Sequence, residues 1–430
     1  MDAVFPLAAL AVTLMATCRT LGLGVGAAIA VGYVNGVARA NFLGVFSTFT
    51  FDGGLLGLYA GAYLFHSRRF AGVWSGSAAK YLLFLIAWPT LMTLMPVNDL
   101  LVQLVALRGT VWFLPVVLIA SRLNSTDLTV VTRVLAVMNL VALAGGVYVY
   151  HNGVEALYPE NAVTQIIYKS KDVGNYEYYR IPSTFLSSHA YGGTMLYSLP
   201  FLLGHLFGPR VGWPDRVLVA AGVAAAAAGI LLCAARMPVV MFAVTTLATW
   251  VFTRFDPKVG LVAIGLIATA IGVALTDERM QRAGTLEDTE AISGRVKGSA
   301  NESFLELLTT YPMGAGMGSS VGTSIPFFLA DRAPEQVGLE NEFSRILVDQ
   351  GWVGLAGWLA FLVWLLRSPP PLLLWARWGA GVMIMYGLCV SIWVTGFIGT
   401  GALSAVPQSV MLLVMMGILV RVREAGRDRE

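Results

Sequence analysis

Apolar runs follow one another along almost the whole chain, separated by short links that carry much of the charge. No other feature restricts the fold as strongly. A run of about 18 or more apolar residues is long enough to span a bilayer as a helix. Lipid offers the backbone no hydrogen-bond partners, so a spanning segment is a helix or part of a closed barrel. Barrel strands alternate polar and apolar residues, and stretches such as 220–234 do not. Helices are therefore expected. Composition agrees: 57% of the 430 residues are hydrophobic and 12% are charged, where a soluble domain carries roughly twice that charged share. A formal net charge of +3 is too small to suggest a nucleic-acid partner.

Spans are expected near 3–17, 21–35, 42–65, 79–95, 100–120, 128–150, 186–207, 217–234, 236–253, 258–276, 341–366, 372–395 and 401–420. The first two are short and Gly-rich, which suggests a tilted or re-entrant hairpin, so the expected total is about twelve or thirteen. Residues 1–18 lack the basic start of a cleavable signal and read as a first membrane helix. Cys18, Cys233 and Cys389 fall in or beside apolar runs and read as small packing residues. Basic residues in short loops mark the cytoplasmic side. The tail from Arg421 onward is rich in arginine. Counting spans back from it puts Arg367 and Arg377, Arg254 and Lys258, Arg210 and Arg216, Arg122 and Arg133, and Arg68, Arg69 and Lys80 on the same side.

Two long loops then fall on the opposite side, within what reads as one membrane domain, 1–430. Loop one covers 151–185 and is rich in Tyr; loop two covers 277–340 and contains, from Ser303, a pattern suited to a short surface helix. Loops of this length in a compact fold are commonly functional or disordered, and their aromatic and Gly content argues against disorder.

Several constellations there allow two readings each. Glu340 and Asn341 stand nine residues before Gly351, with Gly354 beyond. A carboxylate at that boundary is partly dehydrated and suited to general-base work, while helix capping explains the same pair more simply. Arg345 and Asp349, four apart, read as a surface pair. Arg236 lies where two apolar spans abut. It either snorkels to water or lipid phosphate or binds a diphosphate, for which a planar fork is suited. Arg295 and Lys297 follow Ser293 and Gly294 as a solvated basic patch or an anion site. Arg180 closes loop one ahead of Pro182, Ser183, Thr184 and Phe185, with His189 beyond as a hydrogen-bonded packing residue or a base. Gly314, Gly316 and Gly318 are not a phosphate loop, since no Lys follows them; they permit tight turns near a ligand or membrane. Asp52 and Arg108 lie within spans and should pair or face a polar cavity. The four histidines are scattered, without metal-ligand spacing.

In order and placement, these features resemble the O-antigen ligase and polymerase-like superfamily of bacterial membrane proteins. The likeness covers about 180–366 and rests on Arg180 before Ser183, Thr184 and Phe185; Arg236 at a helix start; Gly294 and Arg295 ahead of Pro312, Gly314 and Gly316; and Asn341, Gly351 and Gly354 at the ligase spacing. Glu340 departs, standing where the ligases have His.

The resemblance implies an all-α polytopic membrane protein with a GT-C-like glycosyltransferase architecture. It would sit in the bacterial inner membrane, with its C-terminus cytoplasmic and its site on the other face. The implied activity moves or polymerises an undecaprenyl-diphosphate-linked oligosaccharide without metal or other cofactor. Glu340, Arg236 and Arg295 are then the expected catalytic residues, and Arg180, His189, Lys297 and Asn341 the expected substrate-binding ones. The implied partners are the lipid-linked glycan donor, a glycan or glycolipid acceptor, and chain-length or export proteins. Glu340 favours a repeat polymerase over a ligase. A flippase or other transporter is the rival class; it would show related halves and polar residues near the midplane.

Overall fold

A computed structural model describes residues 2–95, 97–173, 177–208, 211–252, 265, 272, 302–320, 325–337, 341–369, 378–397 and 402–427. The elements are helical apart from one small hairpin. Helices α1 (Val4–Arg19), α2 (Leu21–Asn41), α3 (Thr50–His66), α4 (Ser77–Thr93), α5 (Leu100–Val111), α6 (Pro115–Ala120) and α7 (Ser125–Asn152) form the first half. Loop one holds α8 (Gln165–Tyr168), β1 (Lys171–Val173) and β2 (Tyr178–Tyr179). Then come α9 (Ser188–Leu206), α10 (Trp213–Leu232), α11 (Arg236–Phe252), α12 (Glu302–Thr310), α13 (Glu342–Leu366), α14 (Gly379–Thr395) and α15 (Gln408–Arg427).

Among the described residues, five helical stretches are long and apolar enough to cross a membrane: Leu21–Asn41, Leu100–Ala120, Ser125–Asn152, Trp213–Leu232 and Glu342–Leu366. Large apolar side chains stand outward, as at Leu7, Tyr63, Leu64 and Val363. That arrangement is costly in water and natural in lipid. Helices meet through small residues: a Cβ on Gly381 of α14 would lie 2.8 Å from Gly204 Cα of α9, an approach only small residues allow. This is the architecture of a polytopic helical membrane protein.

Three expectations need correction. The second segment is longer than expected: α2 runs 21 residues, joined to α1 through Thr20, whose side chain accepts from Leu23 N. The run 100–120 is two helices, because Pro115 opens α6 and cannot continue the α5 hydrogen-bond ladder. Cys18 is exposed, whereas Cys233 and Cys389 are buried packing residues as expected. The expected span 258–276 lies outside the described residues except for 265 and 272.

The bundle has two unlike ends. At one, Asp127 accepts from Arg69 (2.8 Å) and from Gly22 N (3.0 Å), Arg423 donates to Leu365 O (3.2 Å), and Arg421 donates to Leu123 O. The other end carries the loops. Asn41 at the end of α2 donates to Leu157 O (2.9 Å), and Asn161 donates back to Ala40 O (2.9 Å). Loop one is ordered around its own small core of Val149, Val154, Tyr158, Ile167 and Ile181. Its strands pair antiparallel, with Lys171 opposite Tyr179.

Candidate functional site

The site is built on the junction of loop one and α9. Phe185 N donates to Pro182 O (3.0 Å), turning the chain, and Ser183 sits in the left-handed region at φ 55°. That strained turn is held from several sides: Tyr158 donates to Ser183 O (2.8 Å) and Ser183 Oγ donates to Ala142 O of α7. Tyr158 is fully buried, and burial pushes its phenol pKa well above the ordinary value, so the group stays a proton donor. Ser187 then caps α9, accepting from Ala190 N (3.1 Å).

The turn brings Arg180 back to His189, with Nη1 to Nε2 at 3.1 Å. A guanidinium only donates, so in this contact Nε2 takes the acceptor's part. His189 thus orients Arg180 and does not offer this nitrogen as a free base. The pair faces out from the protein; His189 is exposed.

Beneath it, α9 packs on the turn from α10 to α11. A Cβ on Gly192 would lie 2.5 Å from Cys233 Sγ and 2.9 Å from Pro238 Cγ, so only glycine fits. Arg180 is near enough to Cys233 to act on it electrostatically. Three residues after Cys233, α11 begins at Arg236. The fold therefore gathers the Arg180–His189 pair and the helix start that carries Arg236. The side chain of Arg236 and the whole of Arg295, Lys297 and Glu340 lie outside the described residues.

A second cluster is built at the start of α13. Asn341 is fully buried and caps the helix, accepting from Ser344 N at 2.5 Å. This is the capping role that the sequence also allowed. The expectation of a surface pair between Arg345 and Asp349 is overturned. Arg345 donates from Nε to Glu342 Oε1 (2.8 Å) and is 4% exposed, while Glu342 is 0% exposed. Asp349 is also buried; it acts electrostatically on Arg345 and accepts from Ser320 N at 3.0 Å. Glu342 acts in turn on Tyr197 of α9, which brings the start of α13 to the helix that carries His189. Sequence reasoning missed Glu342 because the adjacent Asn341 absorbed the capping signal.

The spaced glycines have a structural cause. Gly351 breaks α13 at φ 67°, ψ −170°, and its backbone packs on loop two. Trp352 N donates to Pro312 O (3.0 Å), and Ala315 N donates to Val348 O (2.7 Å). A Cβ on Gly351 would lie 2.6 Å from Met313 C. Gly314, Gly316 and Gly318 all have positive φ, at 83°, 96° and 92°. They lay the loop along the α4–α5 turn, where Asn98 donates to Met317 O (3.2 Å) and Ser319 Oγ (2.8 Å).

Asp52 and Arg108 pair as expected, at 3.1 Å. Buried Asn139 was also missed. It accepts from Tyr33 (2.7 Å) and donates to Ser198 Oγ (2.8 Å), tying α2, α7 and α9 together. Compared with models of known protein families and with curated proteins, the chain matches none.

Proposed function

We propose that this chain is a polyprenyl-diphosphate-dependent glycosyltransferase that polymerises lipid-linked oligosaccharide repeats on the outer face of a bacterial inner membrane. The observation that carries the reading is the half-buried Arg180, oriented by the exposed His189 at 3.1 Å, over the turn where α11 begins with Arg236. Two guanidinium-bearing segments from separate parts of the chain thus meet at the loop-bearing end of an apolar bundle. Guanidinium groups suit phosphate oxygens, and this end is where a lipid phosphate would sit.

In the proposed reaction the acceptor hydroxyl oxygen bonds to the anomeric carbon as the bond from that carbon to the diphosphate oxygen breaks. The electron pair leaves with the diphosphate, whose charge Arg236, Arg295 and Arg180 stabilise. The hydroxyl proton passes to Glu340. Such charge stabilisation at a water-poor site is commonly the largest catalytic contribution. Tyr168 and Tyr179 of loop one, with ring centroids 5.4 Å apart, offer a half-buried aromatic surface for sugars. Burial and the nearby Glu155 and Glu160 carboxylates raise the Tyr168 phenol pKa, which keeps its hydrogen-bonding proton.

A ligase is the second reading, favoured by the Asn341–Gly351–Gly354 spacing, which folds into a cap and a kink. The test is glycan transfer by the purified full-length protein with a lipid-diphosphate-linked donor. Replacing Arg236 or Arg295 with Ala should each cost on the order of 10²–10³ in turnover, and Glu340→Gln should act likewise. Near-native turnover by Glu340→Gln removes the base assignment. Lipid movement without transfer makes the chain a flippase.

A further inference from the structure

Arg39 had no place in the sequence reading, yet it lies beside the pair Asp52–Arg108. It stands in the last turn of α2, Asp52 in the first turn of α3 and Arg108 in the last turn of α5. The two guanidiniums are near enough to repel each other and share the one carboxylate. Arg108 donates its Nη1 to Asp52 Oδ2 at 3.1 Å and lies over the Phe49 ring at 5.3 Å. Among the described residues Arg39 makes no hydrogen bond or ion pair, and its Nε, the Arg108 Nε and Asp52 Oδ1 are buried without partners. Helix dipoles favour each charge singly, cations at C-terminal ends and the carboxylate at an N-terminal end. They do not explain why two cations share one anion in a place where unbalanced charge is expensive.

The surroundings say what balances it. Asn41, two residues beyond Arg39, bonds to loop one, so the cluster lies just below the loop-bearing end. The link from α2 to α3 exposes Phe42, Leu43, Val45 and Phe46, an apolar shoulder beside the charges. An anion that reaches them past such a shoulder carries an apolar body. The anion that a bilayer supplies at this depth is phosphate, and basic pockets between membrane helices take lipid head groups.

We propose that Arg39 and Arg108 hold the phosphate group of a membrane lipid at the ends of α2, α3 and α5, separate from Arg180 and Arg236. Asp52 sets the spacing of the two guanidiniums and competes with the ligand for them. The site does not depend on the glycan-transfer reading.

The test uses the purified full-length protein in detergent, with binding measured for undecaprenyl phosphate, phosphatidylglycerol, inorganic phosphate and uncharged undecaprenol. The two phosphate lipids, or one of them, should bind more tightly than undecaprenol. Arg39→Gln should weaken that binding by about tenfold, the worth of one charge-assisted bond. Arg39→Lys should keep part of it. Asp52→Asn should tighten binding, which a merely structural carboxylate would not do, and a melting curve for each variant separates weak binding from misfolding. A preference for one lipid identifies the source. Inorganic phosphate binding as tightly as the lipids overturns the lipid part of the proposal. Equal binding of undecaprenol, or Asp52→Asn leaving lipid affinity unchanged or weaker, overturns it entirely.

Discussion

Two of the charge clusters among the described residues are built oppositely. At the start of α13, two carboxylates, Glu342 and Asp349, face one guanidinium, Arg345. The ion pair is sealed, its side chains 0% and 4% exposed, and a backbone N–H from Ser320 meets the second carboxylate. At the ends of α2, α3 and α5, two guanidiniums face one carboxylate, and the pair Asp52–Arg108 keeps 14% and 24% of its side chains exposed. Its surplus charge meets no described group. The first cluster spends its polar atoms on fastening loop two to α13. The second leaves donors over, below the end of α2 that meets loop one. Similar residues therefore serve structure in one place and, on our proposal, lipid recognition in the other.

The comparison can be broken most directly at the sealed cluster. Removing one partner of a buried pair strands the other, at about 3–5 kcal/mol. Glu342→Ala and Arg345→Ala should therefore lower the melting temperature more than any other charge deletion named here. A wild-type melting curve from either variant would make the two clusters energetically alike. At the half-open cluster, Asp52→Arg and Arg108→Asp should each destabilise, and the double swap should recover about 1 kcal/mol of the combined loss. If the double variant melts no higher than the sum of the singles predicts, direct pairing loses its support. A more exposed pair, Arg133–Asp215 at 2.6 Å, has side chains 49% and 27% exposed. Its deletion should cost about 0.2–1 kcal/mol and fade in high salt, as read from melts at two ionic strengths. If instead it ranks with the sealed pair, burial is not what orders the three.

How much of this was legible depends on which solvent wrote the signal. Lipid demands continuous apolar runs, so the helices could be read directly, α13 within a residue of its observed bounds. Interruptions were harder to see. The break after Val111 is marked only by Pro115, and the kink at Gly351 only by a glycine among many. The candidate site was legible in its residue types and less so in their partners. Arg180 and His189 meet because the chain turns at Pro182 and Ser183, and no spacing rule encodes that turn. Arg39 escaped notice because the span containing it was expected to end at residue 35, which made it an ordinary loop charge. Asp52 and Arg108 stood out because both fell within apolar runs, where any charge requires a reason.

The kink at Gly351 has a consequence for the bilayer itself. It divides α13 into a polar piece, ending at Gln350, and an apolar one, 352–366. At a rise of about 1.5 Å per residue, the apolar piece reaches about 22 Å, against roughly 30 Å of hydrocarbon in an average membrane. Its lipid-facing side chains, Trp352, Val353, Leu359 and Val363, lie within that shorter length. Hydrophobic mismatch of this kind is relieved by thinning the surrounding lipid. Where the lipid thins around α13, a phosphate on the loop-bearing side would come to lie correspondingly deeper among the helices.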